Sequence, residues 1–149
     1  MSNILVTGSN GQLGMSLQEI SRDYPNLDFV FMDSKTLDIT NVAEVNSIFN
    51  SNNFDYCINC AAYTNVEQAE KEPDKAFAVN AEGVRNIVKS CKKYRIVLLH
   101  ISTDYVFDGE KEAGYLPDDT PNPINVYGAS KLKGEEIIRS ELSNYFIVR

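Results

Sequence analysis

Tyr127 and Lys131 stand four residues apart near the end of this 149-residue chain. On a helix that spacing puts a phenol and an ammonium on one face. The ammonium stabilises a phenolate, so the phenol can give a proton to a carbonyl oxygen under reduction and take one back in the reverse direction. Lys131 can also hydrogen-bond a ribose. At the other end of the chain, Gly8, Gly11 and Gly14 form G-x-x-G-x-x-G behind the apolar run Ile4-Leu5-Val6. One glycine permits a tight turn, one lets a pyrophosphate approach the backbone, and one lets a helix pack closely on a strand. Amides at the helix N-terminus then face the anion. Taken singly, a surface Tyr/Lys pair and a ligand-free glycine turn are simpler explanations. In this order on one chain, the two motifs point to a nicotinamide-dependent oxidoreductase domain.

Other residues fit around them. Asp33 ends an apolar segment 19 residues after Gly14, where a carboxylate accepts from a ribose 2′-hydroxyl and repels a 2′-phosphate. Lys35 softens that repulsion. Asp38-Ile39 either grips an adenine or forms a turn before the next helix. Ser102-Thr103 follows an apolar strand, and a hydroxyl there can polarise a substrate carbonyl or cap local backbone. Asn80 falls inside a long helical pattern, where asparagine is a poor helix former. It is expected either to hold water or backbone near the site or to be exposed.

The elements that must position these residues alternate. Strands are predicted at Asn3–Val6, Phe29–Met32, Asp55–Asn59, Arg95–Ile101 and Tyr145–Val148. Helices are predicted at about Gln12–Arg22, Val42–Ser51, Glu67–Lys71, Asp74–Tyr94 and Tyr127–Leu142. In the long helix Phe77, Val84, Ile87, Val88 and Cys91 share one side. Near-continuous apolar strands such as Ile96-Val97-Leu98-Leu99 suit a parallel sheet covered on both faces. The fold class is therefore α/β, a doubly wound parallel sheet of Rossmann type in three α/β/α layers. Asp104–Asn125, with three prolines and two glycines, is too long for a passive connection.

Composition bounds the function. A net charge of -7 argues against a nucleic-acid backbone binder. No apolar run approaches a membrane span, and the N-terminus lacks the basic region of a secretory signal. Three cysteines give no disulfide framework, so a reducing cytoplasm is expected. Cys57-Ile58-Asn59-Cys60 reads as a strand end carrying structural thiols rather than a redox pair. The lone histidine, His100, is expected to pack or hydrogen-bond, not to catalyse.

These residues together resemble the extended short-chain dehydrogenase/reductase family. Asn59–Glu70, Ala78-Val79-Asn80, the string S-T-D-Y-V-F-D-G over Ser102–Gly109, and Asn125–Lys131 narrow the resemblance to the dTDP-4-dehydrorhamnose reductases, which make dTDP-L-rhamnose for surface polysaccharide. The resemblance implies NADH or NADPH as cofactor, with Asp33 leaning toward NADH. Gly11, Gln12 and Leu13 would lie on the pyrophosphate, and Gly8, Asn10 and Gly14 would also bind the cofactor. Asp33, Asp38 and Ile39 would meet adenosine, and Ala61, Ala62, Tyr63, Thr64 and Asn80 would run along the cofactor, joined by Tyr127 and Lys131. Thr103, Tyr127 and Lys131 would be the catalytic trio. Thr103, Asp104 and Tyr127 would touch the dTDP-sugar, and no metal is implied. Family enzymes continue into a C-terminal substrate domain, so residues 1–149 are expected to be the NAD(P)-binding part of a longer enzyme, binding cofactor but inactive alone. The resemblance leaves a homodimer open. A non-catalytic NADP-binding regulatory subunit, or another nucleotide-sugar reductase or epimerase of this family, would use the same residues.

Overall fold

The computed structural model describes residues 1–149. Five parallel strands, β1 (Ser2–Thr7), β2 (Leu27–Met32), β3 (Tyr56–Asn59), β4 (Val97–Ile101) and β5 (Tyr145–Val148), form one sheet in the order β2-β1-β3-β4-β5. The helices between them are α1 (Gln12–Ile20), α2 (Val42–Ser51), α3 (Val66–Lys71), α4 (Pro73–Phe77), α5 (Val84–Tyr94) and α6 (Val126–Glu141). The strand order reverses at β1, and a ligand crevice is expected where neighbouring connections leave in opposite directions.

The connection from β1 runs one way across the sheet and all later ones run the other. Right-handed crossovers therefore place α1 on one face and α2, α5 and α6 on the opposite face. The register shows the result. Leu5, Cys57, Leu98 and Tyr145 lie side by side, and the first three are completely buried against Val45, Phe49, Val84, Ile87, Val88, Cys91, Ile137 and Ile138. The neighbouring row, Val6, Ile58, Leu99 and Phe146, points the other way. Val6 is buried, yet Phe146 is 63% exposed and Val148 47% exposed. The helical layer on that face is α1 alone, and it shields the β1 side of the sheet.

Three asparagines start helices. The Asn41 side chain accepts from Ala43 and Glu44 N–H, Asn65 from Gln68 N–H, and Asn125 from Gly128 N–H. Each satisfies amide donors that helix geometry leaves free.

The predicted Asp74–Tyr94 helix is interrupted. Pro73–Phe77 is followed by a π segment, Ala78–Gly83, before α5 resumes. The wider turn rotates the downstream face, so Val84, Ile87, Val88 and Cys91 enter the core while Phe77 stays exposed. Arg95 does not begin β4. It ends α5 in the left-handed conformation, φ 59°, and the strand starts at Val97. The Asp104–Asn125 segment opens with a 3₁₀ turn, Asp104–Val106, and carries its own bonds. Asn122 N–H donates to the Val106 carbonyl at 2.9 Å, Asn122 Nδ2 to Asp108 at 2.9 Å, and Phe107 stacks on Tyr115 at 4.2 Å.

Candidate functional site

A cleft of about 590 Å³ opens at the C-terminal ends of the strands. That volume lies within the range of small-molecule and cofactor sites. Its floor is the β1–α1 turn. Gly8 has φ +65°, and a Cβ there would stand 2.6 Å from the Ala61 backbone nitrogen. A Cβ on Gly14 would stand 2.5 Å from the Gly8 carbonyl oxygen. Both positions therefore admit only glycine, and α1 starts hard against the strand end.

Unlike the asparagine-capped helices, α1 has Gly11 at its N-cap and no side chain bonded to its first amides. Gln12, Leu13 and Gly14 all line the cleft. Uncapped amides at a helix N-terminus, reinforced by the helix dipole, form a binding place for a phosphate-bearing group. A dinucleotide fits this arrangement.

Beside the turn, Asp33 is held in place. Its Oδ1 accepts from Lys35 N–H, Thr36 N–H and the Thr36 hydroxyl, each at 3.0 Å, and its Oδ2 accepts from Asn10 Nδ2 at 2.6 Å. The Thr36 hydroxyl above all, with the backbone amides, holds the carboxyl below the usual carboxylate range. One oxygen is crowded, and Oδ2 retains acceptor capacity for a sugar hydroxyl. Asp38 and Ile39 join the same wall, and Asn86 Nδ2 fixes their loop by donating to the Ile39 carbonyl at 3.0 Å.

The opposite wall is Cys60–Thr64 with Tyr127 and Lys131 from α6. Lys131 is 1% exposed, and its Nζ donates to the Ile101 carbonyl at 2.6 Å. Burial pushes its pKa down to about 8, against the pull of Glu135. Tyr127 packs edge-to-face on Tyr105, ring centroids 5.6 Å apart. Beneath this wall a buried polar row crosses the strand ends. The Thr7 hydroxyl donates to Asn59 Oδ1 at 2.6 Å, and Asn59 Nδ2 meets His100 Nδ1 at 3.0 Å. The amide must donate there, so neutral His100 carries its proton on Nε2. Burial first, and then the Lys131 charge, hold the His100 pKa well below its ordinary value.

Of the residues expected to bind cofactor, Gly8, Asn10, Gly11, Gln12, Leu13, Gly14, Asp33, Asp38, Ile39, Ala61, Ala62, Tyr63, Thr64, Tyr127 and Lys131 line this one cleft. Asn80 does not. It is completely buried, accepting from Tyr63 N–H at 2.8 Å and donating to the Tyr63 carbonyl and Ser130 Oγ, each at 2.9 Å. All three bonds go to protein, so Asn80 is not exposed and holds the backbone of the wall. Thr103 and Asp104 also stand off the wall. The Thr103 hydroxyl caps the 3₁₀ turn, accepting from Tyr105 N–H, and donates to Asp104 Oδ1, both at 3.2 Å. Ser102 does line the cleft, but its hydroxyl is committed to Glu135 at 2.6 Å and is not free to polarise a carbonyl. The sequence reading missed Ser34, Leu37, Val79 and Ile101 on the wall. They carry no motif, and only the folded path brings them there. Cys57 faces the core and Cys60 the cleft. A hydrogen bond with Cys91, then burial, raises the Cys57 thiol, and burial raises Cys60 to about 11.

The family model described as "RmlD substrate binding domain" matches residues 1–149. The chain belongs to this family. Among curated relatives, the dTDP-4-dehydrorhamnose reductase of Aggregatibacter actinomycetemcomitans is 40% identical over 149 residues, covering 100% of this chain and 51% of the relative. The Sinorhizobium fredii protein of the same name is 38% identical, covering 98% and 49%. This chain thus spans about half the length of the curated relatives it matches. A solved dTDP-4-dehydrorhamnose reductase from Bacillus anthracis, in complex with NADP, is 44% identical with a TM-score of 0.96, covering 100% of this chain and 53% of that one. A UDP-glucose 4-epimerase from Brucella ovis, 19% identical with a TM-score of 0.89 over 99% of this chain and 51% of the other, shares the Rossmann-like fold.

Proposed function

We propose that residues 1–149 form the NAD(P)-binding, Rossmann-like domain of an enzyme that reduces the 4-keto group of dTDP-4-dehydro-L-rhamnose to dTDP-L-rhamnose, for surface polysaccharide synthesis in the cytoplasm. The observation that carries this reading is the single cleft uniting the uncapped α1 turn, Asp33, Tyr127 and Lys131. The similarity to reductases of that name, one solved with NADP, supports it.

The residues fit a dinucleotide. Gln12 and Leu13 amides would hold the pyrophosphate, Asp33 Oδ2 a ribose hydroxyl, and Ile39 with Leu37 the adenine. When bound, the reduced nicotinamide supplies a hydride. The chain itself handles the proton. Tyr127 Oη donates to the substrate's carbonyl oxygen as that oxygen becomes a hydroxyl. Lys131, anchored to the Ile101 carbonyl, keeps two N–H donors for the phenol and a ribose. Thr103 and Asp104, beyond the wall, are assigned to the sugar.

Calorimetric titration of this chain with NADH and with NADPH tests the proposal. Binding of either supports it, and absence of heat and of thermal stabilisation at millimolar cofactor overturns it. In an enzyme of complete length, Tyr127→Phe should cut turnover roughly 10²–10⁴-fold while sparing cofactor affinity. Turnover within a few-fold of wild type would remove Tyr127 from the acid role.

A further inference from the structure

Glu135 lies on α6, one turn beyond Lys131, fully buried and outside the cleft wall. Four hydrogen bonds converge on its carboxylate. Ser102 Oγ donates to Oε1 at 2.6 Å and Arg149 Nε to the same oxygen at 2.9 Å. Arg149 Nη2 donates to Oε2 at 2.6 Å and Arg139 Nη2 at 3.3 Å. The donors come from the end of β4, the end of β5 and the next turn of α6. Arg149 reaches further still. Its Nη1 donates to the Pro117 carbonyl at 3.2 Å, and its guanidinium lies 4.9 Å from the Phe107 ring centroid. One carboxylate therefore binds both strand ends, and through Arg149 the segment after Thr103, to the helix that carries Tyr127 and Lys131.

Net stability is a poor explanation for such a group. Replacing a buried ion pair by well-packed apolar side chains is often neutral or stabilising. What the carboxylate does provide is geometry and a charge. We propose that Glu135 is a positioning residue of this site: it fixes Ser102, and with it the start of the Thr103–Val106 turn, against α6, and it sets a negative charge one helical turn from the Lys131 ammonium. The proposal rests on the dinucleotide-binding assignment of the cleft.

The other titratable groups around Lys131 do not replace that charge. Cys60 comes from the end of β3 and is raised to about 11, so it is a neutral thiol near pH 7. His100 comes from β4 and is neutral by burial. Arg149 from β5 and Arg139 from α6 are both engaged on Glu135. Tyr127 lies one turn earlier on α6, and Asp104 and Tyr105 belong to the 3₁₀ turn, where Asp104 accepts from Thr103. With burial pulling Lys131 down to about 8, Glu135 is the anion placed to keep the ammonium charged near neutrality.

The experiment titrates Lys131 by NMR of its Nζ and Cε signals in this chain without cofactor. It compares wild type with Glu135→Gln and with the double variant Glu135→Met/Arg149→Met, which removes the ion pair without leaving Arg149 unpaired and frees only the half-exposed Arg139. Arg149→Met alone is the control that keeps the carboxylate. Glu135→Gln should lower the Lys131 midpoint by about one pH unit, the effect of losing a nearby opposite charge; Glu135→Met/Arg149→Met should lower it less, because a cation beside the carboxylate goes with it, and Arg149→Met should not lower it. NADH affinity should then fall roughly threefold at pH 7.5, where the charged fraction changes, and match wild type at pH 6, where Lys131 is protonated in every protein. A midpoint unchanged in both Glu135 variants overturns the proposal, as does an affinity loss equal at the two pH values, which would make Glu135 merely structural. If the midpoint falls while wild type binds no dinucleotide, the charge effect of Glu135 stands and the cofactor assignment fails.

Discussion

The Asn80 side chain brackets the peptide groups of Tyr63, accepting from its N–H at 2.8 Å and donating to its carbonyl at 2.9 Å. A third bond passes to Ser130, whose hydroxyl donates to the Tyr127 carbonyl at 2.7 Å. The wall segment after β3 and the reactive end of α6 are thus held by one buried amide. The π segment is what turns Asn80 inward, in keeping with the frequent placement of such bulges at functional sites.

Asn80→Ala should cost about 1–3 kcal/mol, because it removes the partners of two partly buried backbone groups. Asn80→Asp should cost more, since a carboxylate cannot donate to the Tyr63 carbonyl or to Ser130, and its charge would be buried without a partner. Urea unfolding measures both. Cofactor affinity should fall in each variant although Asn80 stands off the cleft wall. Unchanged affinity in a folded Asn80→Ala protein would show that the bracket does not shape the site.

Gly14→Ala should be severe. Its Cβ would stand 2.5 Å from a backbone oxygen that cannot rotate away, so the α1 turn must shift. Overpacking of this kind costs typically about 1–3 kcal/mol, and the shift should abolish dinucleotide binding. Gly11→Ala meets the same oxygen at 3.2 Å, which asks for a shift of only a few tenths of an ångström, and should cost clearly less than Gly14→Ala. Thermal melts with and without NADH separate the two, and equal behaviour of the variants would count against the close-approach explanation.

The pH dependence follows from Lys131. Its folded pKa, about 8, lies below the 10.5 of an unburied lysine. Below pH 8 both folded and unfolded chains carry the charge, and the burial cost is present in full. Between pH 8 and 10.5 the unfolded chain binds more protons, so stability gains from this group as pH rises. Lys131→Met lacks the effect. The stability difference between wild type and Lys131→Met should therefore move in favour of wild type by roughly 3 kcal/mol from pH 7 to pH 10.5. Urea unfolding at the two pH values checks the sign, and a difference independent of pH would contradict the burial of a charged amine.

Phe146 and Val148 leave an apolar row on the face opposite the core, on an edge strand. Such a patch drives association when nothing covers it. This chain alone should associate with rising concentration in sedimentation, and Phe146→Lys should suppress that with little loss of stability. Association undiminished in Phe146→Lys would place the contact elsewhere.

Local features were legible in the sequence because local physics fixes them. The apolar runs separated by helical spacing determined a parallel α/β sheet, since that alternation leaves few other ways to bury both sets of faces. The glycine turn and the Tyr127–Lys131 pair followed from turn sterics and from the pitch of a helix. Interactions between distant residues were decided only by the tertiary structure. Asn80 is 17 residues from Tyr63 and 50 from Ser130, and its burial depends on a one-turn π widening that no helical periodicity announces. Ser102 could be read as polarising a carbonyl or capping local backbone, and it is Glu135, 33 residues away, that accepts its hydrogen bond. The uncovered sheet face has the same origin. An apolar strand reads alike whether one face or both are packed, and only the direction of each crossover determines where the helices fall.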